Sequence, residues 1–154
     1  MPIVSVHSYR GGTGKSNTTA NLAALLAAEG RRVGVIDTHP GLNEETLLSI
    51  AISDTLLLIL RPDQQDYQGT GVTVEVARKL DVPRLLLLIN KVPTVFNSNE
   101  VRARVEQAYQ CEVAAVVPHS DEMMTLASAG IFVLRYPDHP VTALYRQVMQ
   151  KLTA

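Results

Sequence analysis

A three-layer α/β domain, with a mainly parallel sheet and helices on both faces, is the fold class the sequence predicts. Short apolar runs such as residues 55–60 and 85–89 alternate with segments whose apolar residues recur at helical spacing. Runs without polar alternation suit parallel strands covered on both sides, and the intervening helices supply the crossovers that parallel pairing needs. A third observation orients the domain: Lys15, Asp37, Asn90 and Pro118 each follow a predicted strand. Ligands of open parallel sheets sit at the carboxyl ends of the strands, so these residues are expected to gather at the binding end.

Taken in order, residues 3–8 read as a buried strand, and 15–29 as a helix carrying Leu22, Leu25 and Leu26, with Gly30 placed to stop it. Residues 33–37 form the next apolar run, closed by Asp37. After a Pro40-Gly41 turn, Asn43 can cap a helix through about Ser49, with Glu44 and Glu45 in its first turn. Residues 55–60 are a strand. Residues 66–80 read as a helix with Val72, Val76 and Leu80 on one face, interrupted by Gly69 and Gly71.

The strand 85–89 then leads into Asn90-Lys91, and Asn97 or Ser98 caps a helix showing Val101, Val105, Ala108 and Tyr109 on one side. Residues 112–117 are a fifth strand, 120–129 a short helix stopped by Gly130, and 131–134 a short extended piece. Pro140 fits the first position of a last helix whose stripe is Val141, Leu144, Tyr145, Val148 and Leu152.

With 154 residues, 46% hydrophobic and 19% charged, the chain has material for one substantial core, so a single domain over 1–154 is expected. No apolar run approaches the ~20 residues of a membrane span, and no leader pattern opens the chain, which predicts a cytoplasmic protein. Cys111 is the single cysteine, which excludes a disulfide framework and a cysteine-held metal cluster. A net charge of −1 supplies no polycationic field for nucleic acid, leaving only a local patch for that role.

The densest chemical signal is Arg10-Gly11-Gly12-Thr13-Gly14-Lys15-Ser16. A strand that ends in a glycine-rich turn and opens a helix aims backbone N–H groups at one spot, where the helix dipole also favours an anion. Gly11, Gly12, Thr13, Gly14, Lys15, Ser16 and Asn17 are therefore the candidate nucleotide-binding run. Lys15 would reach the outer phosphates and the Ser16 hydroxyl would ligate Mg²⁺. The alternative is a glycine-rich turn that happens to carry Lys-Ser; the flanking strand and helix favour phosphate.

Tyr9 occupies the place where the G-x-x-x-x-G-K-[ST] pattern has its first glycine. The Gly-Gly doublet with a basic residue before it instead resembles the deviant P-loop of the ParA/MinD family of ATPases, in which a signature lysine precedes Gly-Gly-x-Gly-Lys-[Ser/Thr]. The resemblance implies a P-loop NTPase-like domain, ATP and Mg²⁺ as ligands, and an ATP-dependent homodimer. Arg10 stands at the signature position, where it would act catalytically across the dimer or help the local anion site.

Asp37-Thr38-His39-Pro40-Gly41 resembles the family's Walker B and switch segment, which makes Asp37 a candidate catalytic and metal-linked acid; its other reading is an acid capping the next turn. Residues 32–38 are also similar to the family's earlier Asp-x-Asp strand, as though two strands were fused at Asp37 and an internal block were missing. His39 then stands where the second acid belongs, which puts hydrolysis in question while leaving binding in place.

Asn90-Lys91 is similar to the start of a guanine-reading Asn-Lys-x-Asp, but Pro93 replaces the acid. In ParA/MinD-like proteins an Asn here, with a later loop like that at Pro118, lines an adenine site, so ATP is favoured over GTP. The family further implies use in intracellular positioning or partitioning, with a nucleoid DNA or membrane surface and an activating partner protein. A shortened nucleotide-binding module with little or no hydrolysis is the alternative.

Overall fold

The computed structural model describes residues 2–36 and 43–154. Its sheet is formed by β1 (Val4–His7), β2 (Thr55–Leu60), β3 (Arg84–Val92) and β4 (Glu112–Pro118). All pairs are parallel and the spatial order is β1-β2-β3-β4, with Val6 opposite Leu57, Leu57 opposite Leu86 and Leu87 opposite Val113. Strand alternation sends Leu57, Ile59, Leu86 and Leu88 to one face and Leu56, Leu58, Leu60 and Leu87 to the other.

Each face has its own helices. The first is covered by α1 (Lys15–Ala28), α6 (Phe132–Arg135) and α7 (Pro140–Thr153), through Leu22, Leu25, Phe132, Tyr145 and Val148. The second is covered by α2 (Glu44–Ala51), α3 (Gln64–Lys79) and α4 (Ser98–Tyr109), through Ile50, Val74, Ala77 and Val105. A short α5 (Asp121–Leu126) follows β4, and its Met123 and Leu126 pack on the first core. The three-layer α/β architecture is thus as the sequence predicts. Among the described residues no helix is long and apolar enough to cross a membrane.

Several caps explain where helices begin. Asn43 accepts from Thr46 N, Asn97 from Asn99 N and Glu100 N, Ser120 from Met123 N, and Pro140 opens α7. Each side chain or ring deals with an N–H that has no partner inside the helix.

Three expectations need correction. The run at 33–37 was expected as a strand, but residues 31–36 lie outside regular structure with Val33, Val35 and Ile36 exposed. A strand exists only by pairing, and these residues pair with none of the described strands. Among the described residues the sheet has four strands, and residues 112–118 are the fourth rather than the fifth. Residues 131–134 are not extended: Phe132–Arg135 is a helical turn, fixed where the buried Asn21 side chain accepts from Val133 N at 2.8 Å. Pro40-Gly41 and Asp37 lie outside the described residues.

The α3 face also differs. Its helix starts at Gln64 under an Asp63 cap, and the buried residues are Gly69, Thr70, Thr73, Val74 and Ala77, whereas Val72 is exposed. Val74 and Ala77 face the second core, and at Gly69 Tyr9 lies so close that a Cβ would overlap its ring.

Leu88 is fully buried in β3 and belongs to the core shared with α1 and α7. Leu88→Ala is expected to destabilise the domain by about 2–5 kcal/mol, as measured by urea unfolding.

Candidate functional site

Because every strand runs the same way, the segments after β1, β2, β3 and β4 emerge at one end of the sheet. The loop from Ser8 to Gly14 joins β1 to α1 and turns twice through the left-handed region, at Gly12 (φ 77°) and Gly14 (φ 97°). Gly14 is also the N-cap of α1, with no side chain bonded to the cap; its carbonyl takes Thr18 N at 2.8 Å. This is the predicted phosphate cradle: a turn delivering backbone N–H groups and the positive end of a 14-residue helix to one place. Gly11, Gly12 and Ser16 are exposed and Lys15 is half-buried.

The cradle is braced by β3. Its pairing with β4 shifts register between Ile89 and Val92, and Lys91 takes a left-handed conformation (φ 55°). Such an irregularity re-aims side chains at a strand end. Here Asn90 Nδ2 donates to Thr13 O at 2.8 Å and Lys91 Nζ donates to Gly12 O at 2.8 Å. Asn90 is buried, and a Cβ on Gly14 would stand 2.5 Å from its Nδ2. Gly14 therefore serves two needs, the left-handed turn and the close approach of Asn90.

Two buried polar atoms under the loop, His7 Nε2 and Thr13 Oγ1, have no hydrogen-bond partner among the described residues. Burial and, secondarily, the nearby Lys15 charge push the His7 pKa down to about 4. The imidazole is thus neutral at pH 7 and adds no positive charge beneath the loop.

Arg10 is engaged by α3. Its Nη2 lies 2.6 Å from Asp63 Oδ2 and its Nε 2.6 Å from Asp66 Oδ1, and the guanidinium also donates to Gln65 Oε1. The Asp66 carboxylate is buried and is further held by Arg61 N at 2.7 Å. Arg10 must leave these acids to reach a phosphate. Asn17, in the first turn of α1, accepts from Asn21 Nδ2 at 2.8 Å through its Oδ1. Pro118 ends β4 opposite Val92, and His119 N continues the contact to Val92 O at 2.8 Å.

The structure therefore brings Arg10 to Asn17, Asn90 and Pro118 to one end of the sheet, while Asp37 lies outside the described residues. Sequence reasoning missed Asp63 and Asp66, because it began α3 at Asp66; the readable signal was an Asp preceding a helix by one residue. His7 and the Lys91 bond to Gly12 carried no sequence signal, since both depend on how strands stack side by side. Among the described residues no group of three or more His, Cys, Asp or Glu could hold a metal.

A parallel α/β sheet with a left-handed glycine turn at the head of its first helix defines a nucleotide-binding domain of the P-loop class. Residues 4–133 match the CobQ/CobB/MinD/ParA nucleotide binding domain, and the chain belongs to that family. It is 24% identical over 119 residues to an ATP-binding protein of Methanocaldococcus jannaschii, a match spanning 77% of this chain and 45% of that one. It is 34% identical over 111 residues to the septum site-determining protein MinD of a Synechocystis species, a match spanning 68% of this chain and 40% of that one. The chain thus spans less than half the length of these curated relatives. The fold is that of MinD from Pyrococcus horikoshii, solved with Mg-ADP: TM-score 0.79 at 14% identity, covering 98% of this chain and 95% of the other.

Two outcomes follow from the geometry. Gly14→Ala is expected to cost about 1–3 kcal/mol in urea unfolding, from left-handed strain plus collision with Asn90, and Gly14→Ala/Asn90→Ala should recover the collision part alone. His7 has a folded pKa of about 4, below the unfolded value near 6.5, so the unfolded chain binds the extra proton between these values. Stability is then full above about pH 6.5 and falls toward pH 4. The parent should lose about 2 kcal/mol more between pH 7.5 and 5 than His7→Asn does, in paired urea titrations.

Proposed function

We propose that this chain is a Mg²⁺-dependent, ATP-binding and ATP-hydrolysing switch of the MinD/ParA kind, which dimerises when ATP is held and serves intracellular positioning or partitioning. The observation that carries the reading is the cradle itself, with Gly12 and Gly14 turned left-handed at the head of α1 and locked by Asn90 and Lys91. The residues present fit a polyphosphate. The turn is cleared of side chains at Gly11 and Gly12, Lys15 stands in the first turn, and Thr13 keeps a buried unpartnered hydroxyl beneath it.

In this reading backbone N–H groups of 11–16 hold the phosphates, Lys15 neutralises the outer ones, and Ser16 and Asp37 hold Mg²⁺. Bound Mg²⁺ would screen the phosphate charge and polarise the bond to be broken. Asn90 and Pro118, at the neighbouring strand ends, frame the base. Arg10 leaves Asp63 and Asp66 to complete the site, in cis or on a second copy. A membrane or nucleoid DNA surface and an activating protein are the partners such a switch would use.

A second reading, a shortened nucleotide-binding module with little or no hydrolysis, is favoured by His39, which stands where the second acid of the family's Asp-x-Asp is expected. Equilibrium binding of ATP and GTP with Mg²⁺, read together with oligomeric mass, tests the proposal. ATP is expected to outcompete GTP, Lys15→Ala to weaken ATP binding about 10- to 100-fold, and mass to double with ATP in the parent alone. Failure of a folded protein to bind either nucleotide would sink both readings; ATP binding without phosphate release would leave the second.

A further inference from the structure

A positive φ outside glycine occurs at four of the described residues, and three of them sit where a helix ends. Asp81 follows the C-cap of α3, and Gln110 and Ala127 are the C-caps of α4 and α5. Helix ends commonly carry such a turn. The fourth, Lys91 (φ 55°), lies inside β3, one residue before its end. A strand gains nothing from that conformation, and the lysine Cβ meets a clash there that glycine would not. Strain kept in the middle of an element is a pointer to function.

What the turn achieves is the placement of the side chain. Although Lys91 is exposed, its Nζ is fixed on the loop after β1, donating to Gly12 O at 2.8 Å. The peptide bonds are trans, so fixing a carbonyl fixes the next N–H in the opposite direction. Lys91 on Gly12 O therefore turns Thr13 N–H away from itself, and Asn90 on Thr13 O does the same for Gly14 N–H. Neither N–H has an acceptor among the described residues, so both are donors available to a ligand.

The two bonds are not equivalent. Asn90 is buried and hemmed in by Gly14. The Gly12–Thr13 peptide instead follows a glycine at φ 77°, whose backbone also accepts the alternative turn in which carbonyl and N–H trade places. Among the described residues Lys91 alone bonds Gly12 O and selects between the two.

We propose that Lys91 is a positioning residue for polyphosphate binding: its strained backbone holds the ammonium on Gly12 O, and this keeps Thr13 N–H turned into the cradle. The inference rests on the nucleotide-binding reading above, and it assigns Lys91 to the loop peptide rather than to the phosphate.

Three variants separate this role from charge and from folding. Lys91→Gly removes both strain and donor, Lys91→Met removes the donor alone, and Lys91→Arg keeps a donor. In nucleotide-free protein labelled with ¹⁵N, the Thr13 amide signal is expected to agree between the parent and Lys91→Arg and to shift or split in the other two. Calorimetry should show Mg²⁺-ATP affinity about 3- to 10-fold weaker for Lys91→Gly and Lys91→Met, and within about twofold of the parent for Lys91→Arg. Lys91→Gly should nevertheless unfold at higher urea than Lys91→Met, because glycine relieves the left-handed strain. The ratio of parent to Lys91→Met affinity should hold as salt is raised. A ratio that collapses with salt would make Lys91 a phosphate ligand and overturn the proposal. An unmoved Thr13 amide or unchanged affinity in Lys91→Gly and Lys91→Met would also overturn it, while leaving the nucleotide reading intact. A folded parent that binds no Mg²⁺-ATP would instead overturn the nucleotide reading, and with it the role assigned to Lys91.

Discussion

A loop that turns twice through the left-handed region cannot hold its shape by local preference, and in this chain β3 holds it. The hydrogen bonds from Asn90 to Thr13 and from Lys91 to Gly12 bridge 77 and 79 residues of sequence. They turn a flexible glycine run into a fixed set of donors. Preorganisation of that kind is what an anion site needs, because donors already in place lose no entropy when the ligand arrives. The bracing requires that β3 end near β1, which the parallel order arranges, and that its last residues leave the regular ladder, which the shift at Asn90-Lys91 arranges.

Electrostatics around the loop are arranged with similar economy. Lys15 approaches the anion site over a neutral His7, whose charge burial suppresses. Arg10, one residue before the glycines, is drawn off to Asp63 and Asp66 at the start of α3. The same acids cap α3 and bond Arg61, so loop, helix and strand end share one charged network. A side chain held this way is available to a phosphate only at the expense of that network, which gives α3 a direct physical link to the cradle.

The apolar framework serves these groups by fixing α1. Its Leu22 and Leu25 lie in the first core, Thr18 Oγ1 and the Tyr145 hydroxyl are 3.4 Å apart, and Asn21 ties it to α6 through Val133 N. Burying Asn21 is tolerated because its amide donates to Asn17 and its carbonyl accepts from Val133. The helix whose first turn forms the candidate site is therefore anchored along its length by both apolar and polar contacts.

The sequence alone pointed to the α/β class, the cap at Asn43, the start of the last helix at Pro140 and the candidate phosphate-binding run. Each rests on local chemistry: apolar runs that leave no face for water, side chains that bond their own helix start, and glycines before Lys-Ser. The Asn97 cap was narrowed to two neighbouring residues, since Asn and Ser both cap well. Tertiary structure alone decided what could not be local. It left residues 31–36 unpaired where a strand was expected, because strand formation depends on an available neighbour. It made 132–135 helical where Val133 N meets Asn21, required a glycine at 69 by the approach of Tyr9, and paired Arg10 with acids more than fifty residues away. A residue's type can be read from the chain, but its partner is chosen by the packing of elements that lie far apart along it.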